Sequence, residues 1–208
     1  MNNQLELLIN GFTVIPARRA NIGMKKLEMH VNDLIKTTSP TNDSGTAYFW
    51  GDEGAQILNF LEDVLNKNFG EYFNNTPLFQ RAWIRRSFSG YGGSGWHQDT
   101  NLNVIPQPII LAIAMQDVKS NNSPLIFLPR SQHSKHPQFN CNYIGGQKTI
   151  FCNKGDIVVF MSSIWHRGGA NTSQEDRLLV FAEYSNQNFV KTSLDIKKYQ
   201  KDYVKLIT

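Results

Sequence analysis

Cysteine is nearly missing: only Cys141 and Cys152 occur in 208 residues. Their spacing forms no CxxC pair, so neither a disulfide scaffold nor a thiolate metal site is indicated, and both read as reduced thiols. Long apolar runs are missing too. Nothing approaches the ~18 residues of a membrane span, and the opening MNNQLELLINGF has no basic region and carries Glu6 inside its leucine-rich stretch. The expectation is a soluble, cytoplasmic protein without membrane contact. Charged residues make up 18% of the chain, and the excess of 21 Lys+Arg over 17 Asp+Glu is scattered, not gathered into a run. The net charge of +4 therefore neither demands nor excludes a nucleic-acid partner. Repeats and low-complexity segments are absent. Apolar material is plentiful: hydrophobic residues reach 40% and aromatics 12%, enough for the core of one domain and too much for wholesale disorder.

The first third reads as helices with short strands. GFTVIP is a short strand ending at Pro16, and Leu27, Val31, Leu34 and Ile35 give an apolar face to a helix from about Ala17 to Lys36. Ile57, Leu58, Leu61, Val64 and Leu65 form one stripe between Asp52 and Phe69, predicting a single helix with Asp52 as its N-cap. From Leu78 onward the pattern changes to FQRAWIRRSF, PIILAIAMQD, PLIFLP, QKTIFC, DIVVFMS and RLLVFAEYS, separated by Gly, Pro, Asn and Ser. Strands without intervening helices indicate an antiparallel sandwich or barrel. Asn153 to Asp156 reads as a hairpin turn joining two of them. Pro124 and Pro129 bracket PLIFLP and suit a short edge strand. Ser39 to Gly45 reads as a loop.

Of five histidines, His30, His97, His133, His136 and His166, two carry a chemical signal. In GYGGSGWHQDTN a glycine-rich approach leads to His97 and Asp99, whose spacing on an extended strand points both side chains to one face. A third ligand is available in His166, within SSIWHRGGANTS just beyond the strand DIVVFM. Two histidines and a carboxylate make the facial arrangement of non-haem Fe(II) oxygenases, leaving positions for a 2-oxoacid and O2. The same set can hold Zn2+. Arg177 opens the next strand, where a fixed guanidinium can pair with the remote carboxylate of 2-oxoglutarate, and Leu179 and Phe181 share its face.

Other residues carry two readings each. Arg81, Trp83 and Arg85 share one face of their strand. If that face looks inward, Arg85 meets a carboxylate or phosphate and Trp83 walls the pocket; the alternative is a solvated outer strand. Ala112, Ala114 and Gln116 share a face that either leaves room for a ligand or simply packs. Trp165 and Trp96, beside the two histidines, read as core residues. His133 and His136 read as exposed or turn-bonded, and His30 as a helix-surface or packing residue.

These residues resemble the phytanoyl-CoA dioxygenase (PhyH-like) family of Fe(II)/2-oxoglutarate-dependent oxygenases. The resemblance runs from about Arg81 to Tyr184 and rests on WHQD, NNSPLIFLPRSQHSK and KGDIVVFMSSIWHRGGANTSQEDR. It implies a double-stranded β-helix, or jelly roll, cupin-like core, mainly β with N-terminal helices. On this reading the chain is one domain, with a helical and strand part over about 1–77, the jelly-roll core over about 78–185 and a short segment 186–208. It implies His97, Asp99 and His166 as iron ligands, Arg177 as the anchor of the 2-oxoglutarate C5 carboxylate, and O2 as oxidant, with succinate and CO2 released. Arg85 is a candidate second cosubstrate contact, and Trp83, Ala112, Phe181 and Arg167 are candidates for the substrate pocket. Three departures stand out: Ser123 and Arg130 occupy positions where the family often has Gly, affecting turns more than chemistry, and Arg167 follows the metal histidine where a small residue is common. Related halogenases have a small residue in place of Asp99, so its presence favours hydroxylation or a related oxidation.

The implied substrate is a small organic molecule such as an amino acid, an acyl thioester or a secondary-metabolite intermediate, with Thr37 to Gly51, Ser89 to Gly95 and Thr100 to Pro108 as its covering loops. Two alternatives are an AlkB-like nucleic-acid demethylase, whose arginine pattern after the distal histidine differs, and a jelly-roll binding module that does not turn over. Oligomeric state is not legible in the sequence.

Overall fold

Residues 2–20, 22–37, 47–50, 53–74, 76–99, 107–134 and 144–186 are described by the computed structural model. Among them, the apolar runs form two antiparallel sheets. The larger contains β1 (Phe12–Ile15), β2 (Ala47–Trp50), β3 (Leu78–Ser87), β4 (Ile109–Ala114), β7 (Ile157–Met161) and β9 (Arg177–Ser185), in the order β1-β7-β4-β9-β3-β2. The smaller contains β5 (Leu125–Phe127), β6 (Lys148–Ile150) and β8 (His166–Gly168), in the order β6-β5-β8. This is the expected β-rich jelly-roll architecture.

The central strands of the large sheet are buried on both faces, which explains why β4 reads IILAIA with no polar alternation. Ile109, Leu111 and Ile113 pack outward with helix residues such as Leu27, Val31, Leu61 and Leu65. Ile110, Ala112 and Ala114 face the small sheet, in one cluster with Phe127, Phe160 and Phe181. Phe12 stacks on Phe127 at 4.8 Å, so the sheets meet ring to ring between β1 and β5.

Several local expectations are corrected. The helix from Ala17 is two, α2 (Ala17–Ala20) and α3 (Met24–Thr37), preceded by an unforeseen α1 (Asn3–Asn10) that the Asn2 side chain caps by accepting from Gln4 N. Leu27, Val31 and Leu34 are the buried face of α3 as the spacing required. The next helix is also broken, into α4 (Glu53–Ile57) and α5 (Phe60–Phe69), because Leu61 N and Glu62 N bond back to Leu58 O and Asn59 O in tighter, three-residue turns. Asp52, its expected cap, lies outside the described residues. β5 is the centre of its sheet, not an edge, since Pro124 and Pro129 lie outside its three paired residues and no ladder bond is lost. Asn153 to Asp156 is a tight turn, closed by Asp156 N donating to Asn153 O at 3.0 Å with Gly155 at φ +85°. It is no hairpin, however, because β6 and β7 belong to different sheets.

Of the expected covering loops, residues 47–50 of the first are strand β2, and its residues 38–46 and 51 lie outside the described set, as do 100–106 of the third. Cys141, His136 and residues 187–208 lie outside it as well. No helix among the described residues is long and apolar enough to cross a membrane.

Candidate functional site

The HxD segment is not part of a regular strand. It is held as an isolated bridge: His97 N donates to His166 O at 2.9 Å and His166 N returns a bond to His97 O at 3.0 Å. Asp99 N donates to Ser162 O at 2.8 Å, while the intervening Gln98 points away and bonds the carbonyl of Ser163. The backbone thus places two histidines opposite one another and brings the carboxylate of Asp99 between them. Its Oδ1 lies 3.5 Å from His97 Nε2 and its Oδ2 3.4 Å from His166 Nε2. One ligand-capable atom from each residue falls within 4.8 Å of the others, enough to hold a metal ion.

Each imidazole is oriented from behind. His97 Nδ1 donates to Gly95 O at 2.9 Å and His166 Nδ1 to Ile164 O at 3.0 Å. A carbonyl only accepts, so each Nδ1 carries a proton and each Nε2 faces Asp99. The rings lie 4.3 Å apart, and Phe160 and Phe127 wall His166 at 5.0 and 5.8 Å. Burial, joined by the charge of His166, pushes His97 down to about 4. His166 moves oppositely: burial lowers it, but the charge and hydrogen bond of Asp99 outweigh this and raise it. For Asp99, burial opposes ionisation, yet His166, His97 and Arg81 hold the carboxyl well below the usual carboxylate range.

Arg177 begins β9 directly opposite Ser87 at the end of β3, with only 2% of its surface exposed. Its Nη2 donates to Ser87 Oγ at 3.0 Å and Ser123 Oγ at 2.9 Å, whereas buried Nε and Nη1 have no acceptor among the described residues. No carboxylate is paired with it among the described residues. Burial first and Arg85 second push its pKa down to about 9, so it stays charged at neutral pH. The site therefore joins a ligand cluster that can take a cation to a buried cation that has no anion among the described residues.

The Arg81, Trp83 and Arg85 face looks inward. Trp83 stacks on Phe181 at 5.1 Å and 5°, beside Ala112, the register partner of Phe181 on β4. Arg85 donates to Tyr91 Oη at 3.2 Å, and its charge depresses both histidines as well as Arg177. Arg81 pairs with Glu183 at 2.5 Å. Arg167 alternates away from His166, opposite Ile126, and lies 5.7 Å over the Trp96 ring. Trp165 and Trp96 are half-buried, not core; Trp165 is held against the 131–134 turn, its N donating to Ser131 Oγ at 2.9 Å and its Nε1 to Ser134 O at 3.4 Å. His133 is exposed and His30 half-buried on α3. Sequence reasoning missed Ser87, Ser123 and Glu183 at the site. It also underrated Ser123 as a turn residue only, although the strand parity shared by Ser87, Trp83 and Arg85 was available.

Comparison with solved structures gives the same fold at low identity. The non-haem α-ketoglutarate-dependent epimerase SnoN of nogalamycin biosynthesis aligns with a TM-score of 0.74 and 13% identity, over 92% of this chain and 86% of that one. The carbocyclase SnoK, of the same biosynthesis, has a TM-score of 0.68 and 13% identity over 93% and 88%. HygX from Streptomyces hygroscopicus, solved with nickel, 2-oxoglutarate and hygromycin B, has a TM-score of 0.68 and 14% identity over 92% and 89%. No curated protein matches in sequence. The family model for phytanoyl-CoA dioxygenase (PhyH) matches residues 51–179, a span that contains the HxD segment, the distal histidine and Arg177. Matched over more than half its length, the chain belongs to the phytanoyl-CoA dioxygenase family of iron- and 2-oxoglutarate-dependent oxygenases.

Proposed function

We propose that the protein is a dioxygenase that hydroxylates a small organic molecule, with His97, Asp99 and His166 as iron ligands and Arg177 as the anchor of 2-oxoglutarate. The observation that carries this is the pairing of a two-histidine, one-carboxylate cluster with a buried guanidinium whose Nε and Nη1 lack acceptors. The donor set suits Fe(II). The orphaned nitrogens suit a carboxylate, because a buried cation without a counter-charge is costly and a bound anion removes that cost. With iron, 2-oxoglutarate and O2 bound, the chemistry supplied is oxidation of the substrate coupled to conversion of 2-oxoglutarate to succinate and CO2.

The chain's own residues orient and shield. Gly95 and Ile164 carbonyls fix both imidazoles with Nε2 forward. Metal binding at His166 requires loss of its Nε2 proton, which Asp99 otherwise stabilises. Phe127 and Phe160 exclude water from its ring. Arg85 adds positive charge that favours a dianionic cosubstrate, and Trp83, Phe181 and Ala112 wall the space that remains for substrate. Asp99 would supply a carboxylate ligand where the related halogenases have a small residue, which supports hydroxylation or a related oxidation over halogenation. SnoN, SnoK and HygX, whose names and ligands speak of small natural products, support a small-molecule substrate.

The test is anaerobic visible spectroscopy as Fe(II) and then 2-oxoglutarate are added, with His166→Ala as control. A weak charge-transfer band that needs both additions and vanishes in the variant is expected. Its absence, with neither ligand bound, would return the non-catalytic binding module to the front.

A further inference from the structure

Ser123 combines two features that conflict unless its side chain has a task. It is fully buried, and its φ of +59° lies in the left-handed region that disfavours any residue with a Cβ. Glycine suits this backbone. The turn gains nothing from the hydroxyl: the turn is fixed by Ser123 N donating to Ala170 O at 2.9 Å, while Oγ reaches only Ser87 Oγ at 3.2 Å and Arg177 Nη2 at 2.9 Å. Ser87, also fully buried, accepts from the same Nη2 at 3.0 Å.

The hydrogen-bond accounting leaves a surplus of donors. Each hydroxyl has one proton and two lone pairs. Both accept from Arg177, one proton is shared between them, and the other has no acceptor among the described residues. Added to Nε and Nη1 of Arg177, this makes a buried cluster of donors around one positive charge. An acceptor-rich anion satisfies these donors and balances the charge as well, which water does not, and a carboxylate does so with two oxygens.

We infer that Ser87 and Ser123 belong to the 2-oxoglutarate site: they fix Nη2 of Arg177 and offer one hydroxyl proton to the remote carboxylate, and Ser123 holds its strained backbone for that purpose. This rests on the reading of Arg177 given above. It also makes the pair selective, since a 2-oxoacid without a remote carboxylate gains nothing from them.

The experiment is anaerobic titration of the Mn(II)-loaded protein with 2-oxoglutarate and with 2-oxopentanoate, which lacks the remote carboxylate, together with thermal melts. Ser123→Gly is expected to melt near wild type and bind Mn(II) normally, yet to lose on the order of tenfold in 2-oxoglutarate affinity with 2-oxopentanoate unaffected. Ser87→Ala, on an unstrained strand, is expected to do the same and serves as the second variant. Wild-type 2-oxoglutarate affinity in both, or an equal loss for both ligands, overturns the inference while leaving Arg177 in its role. Wild-type protein that fails to prefer 2-oxoglutarate over 2-oxopentanoate overturns the reading of Arg177 itself, and the inference with it.

Discussion

His97 and His166 are bonded to each other backbone to backbone in both directions, at 2.9 and 3.0 Å, although they come from distant parts of the chain. The bridge sets the pair and the rings follow, so truncating a ring leaves the bridge in place. His97→Ala and His166→Ala are each expected to fold and to lose Fe(II) affinity by more than about a hundredfold. His166→Ala, at a site 4% exposed and packed on Phe160, is also expected to cost about 1–3 kcal/mol of stability. Anaerobic metal titration and chemical denaturation check both, and normal metal affinity in either variant would remove that residue from the ligand set.

Arg177 gives an unusual test, because without its anion the side chain is a burden on the fold. Methionine is similar in length and needs no counter-charge, and Ser87 and Ser123 keep the hydrogen bond between their hydroxyls. Arg177→Met is therefore expected to raise stability by about 1–3 kcal/mol in the absence of ligand while lowering 2-oxoglutarate affinity at least about a hundredfold. Wild-type protein should gain melting temperature on adding 2-oxoglutarate, and the variant should not. A variant both less stable and equally able to bind would mean that the charge is compensated within the chain and has no anion to hold.

What the sequence discloses of this architecture follows from which forces act locally. β4, β7 and β9 are apolar runs, β3 alternates between arginines and apolar residues over its second half, and each forms where its pattern lies. β8 carries no such pattern: His166, Arg167 and Gly168 are strand only because β5 pairs with them, a tertiary cause. The metal cluster is legible because ligand chemistry restricts residue type, and so is Arg177, whose charge at the start of a buried strand needs an explanation. Ser87 and Ser123 are not. Serine is common everywhere, and their role depends on the Ser87–Arg177 register and on a backbone angle, neither of which composition encodes. The breaks after Ala20 and Ile57 escape periodicity for a similar reason, since the apolar stripe continues across them.

Arg81 and Glu183 are register partners on β3 and β9, one inward pair beyond the Trp83–Phe181 stack, with side chains 19% and 9% exposed. Removing Glu183 takes away the carboxylate that faces Arg81 in a half-dry site. Glu183→Ala is expected to cost about 2–3 kcal/mol, less than for a fully buried pair because water reaches Arg81. The double variant Arg81→Met with Glu183→Leu is expected to be more stable than the sum of the single losses predicts, as read by urea denaturation. Strict additivity would show that the pair is not coupled.

Gly92 and Gly93 are adjacent in the approach to His97 yet stand under different constraints. Gly93 has φ +94°, and a Cβ there would lie 2.9 Å from the Gly168 carbonyl oxygen, whereas a Cβ on Gly92 would meet nothing within 4 Å. The next residue is pinned to the same strand, Ser94 N donating to Gly168 O at 3.0 Å and Gly168 N to Ser94 Oγ at 2.7 Å. Pushing Gly93 outward therefore pulls on the segment that delivers His97. Gly93→Ala is expected to cost about 1–3 kcal/mol and to weaken metal binding by about tenfold. Gly92→Ala is expected to stay within about 0.5 kcal/mol of wild type with metal affinity unchanged. Melting curves and Fe(II) titration of the two variants side by side separate a general loss of flexibility, which would affect both, from the close approach at Gly93, which affects one.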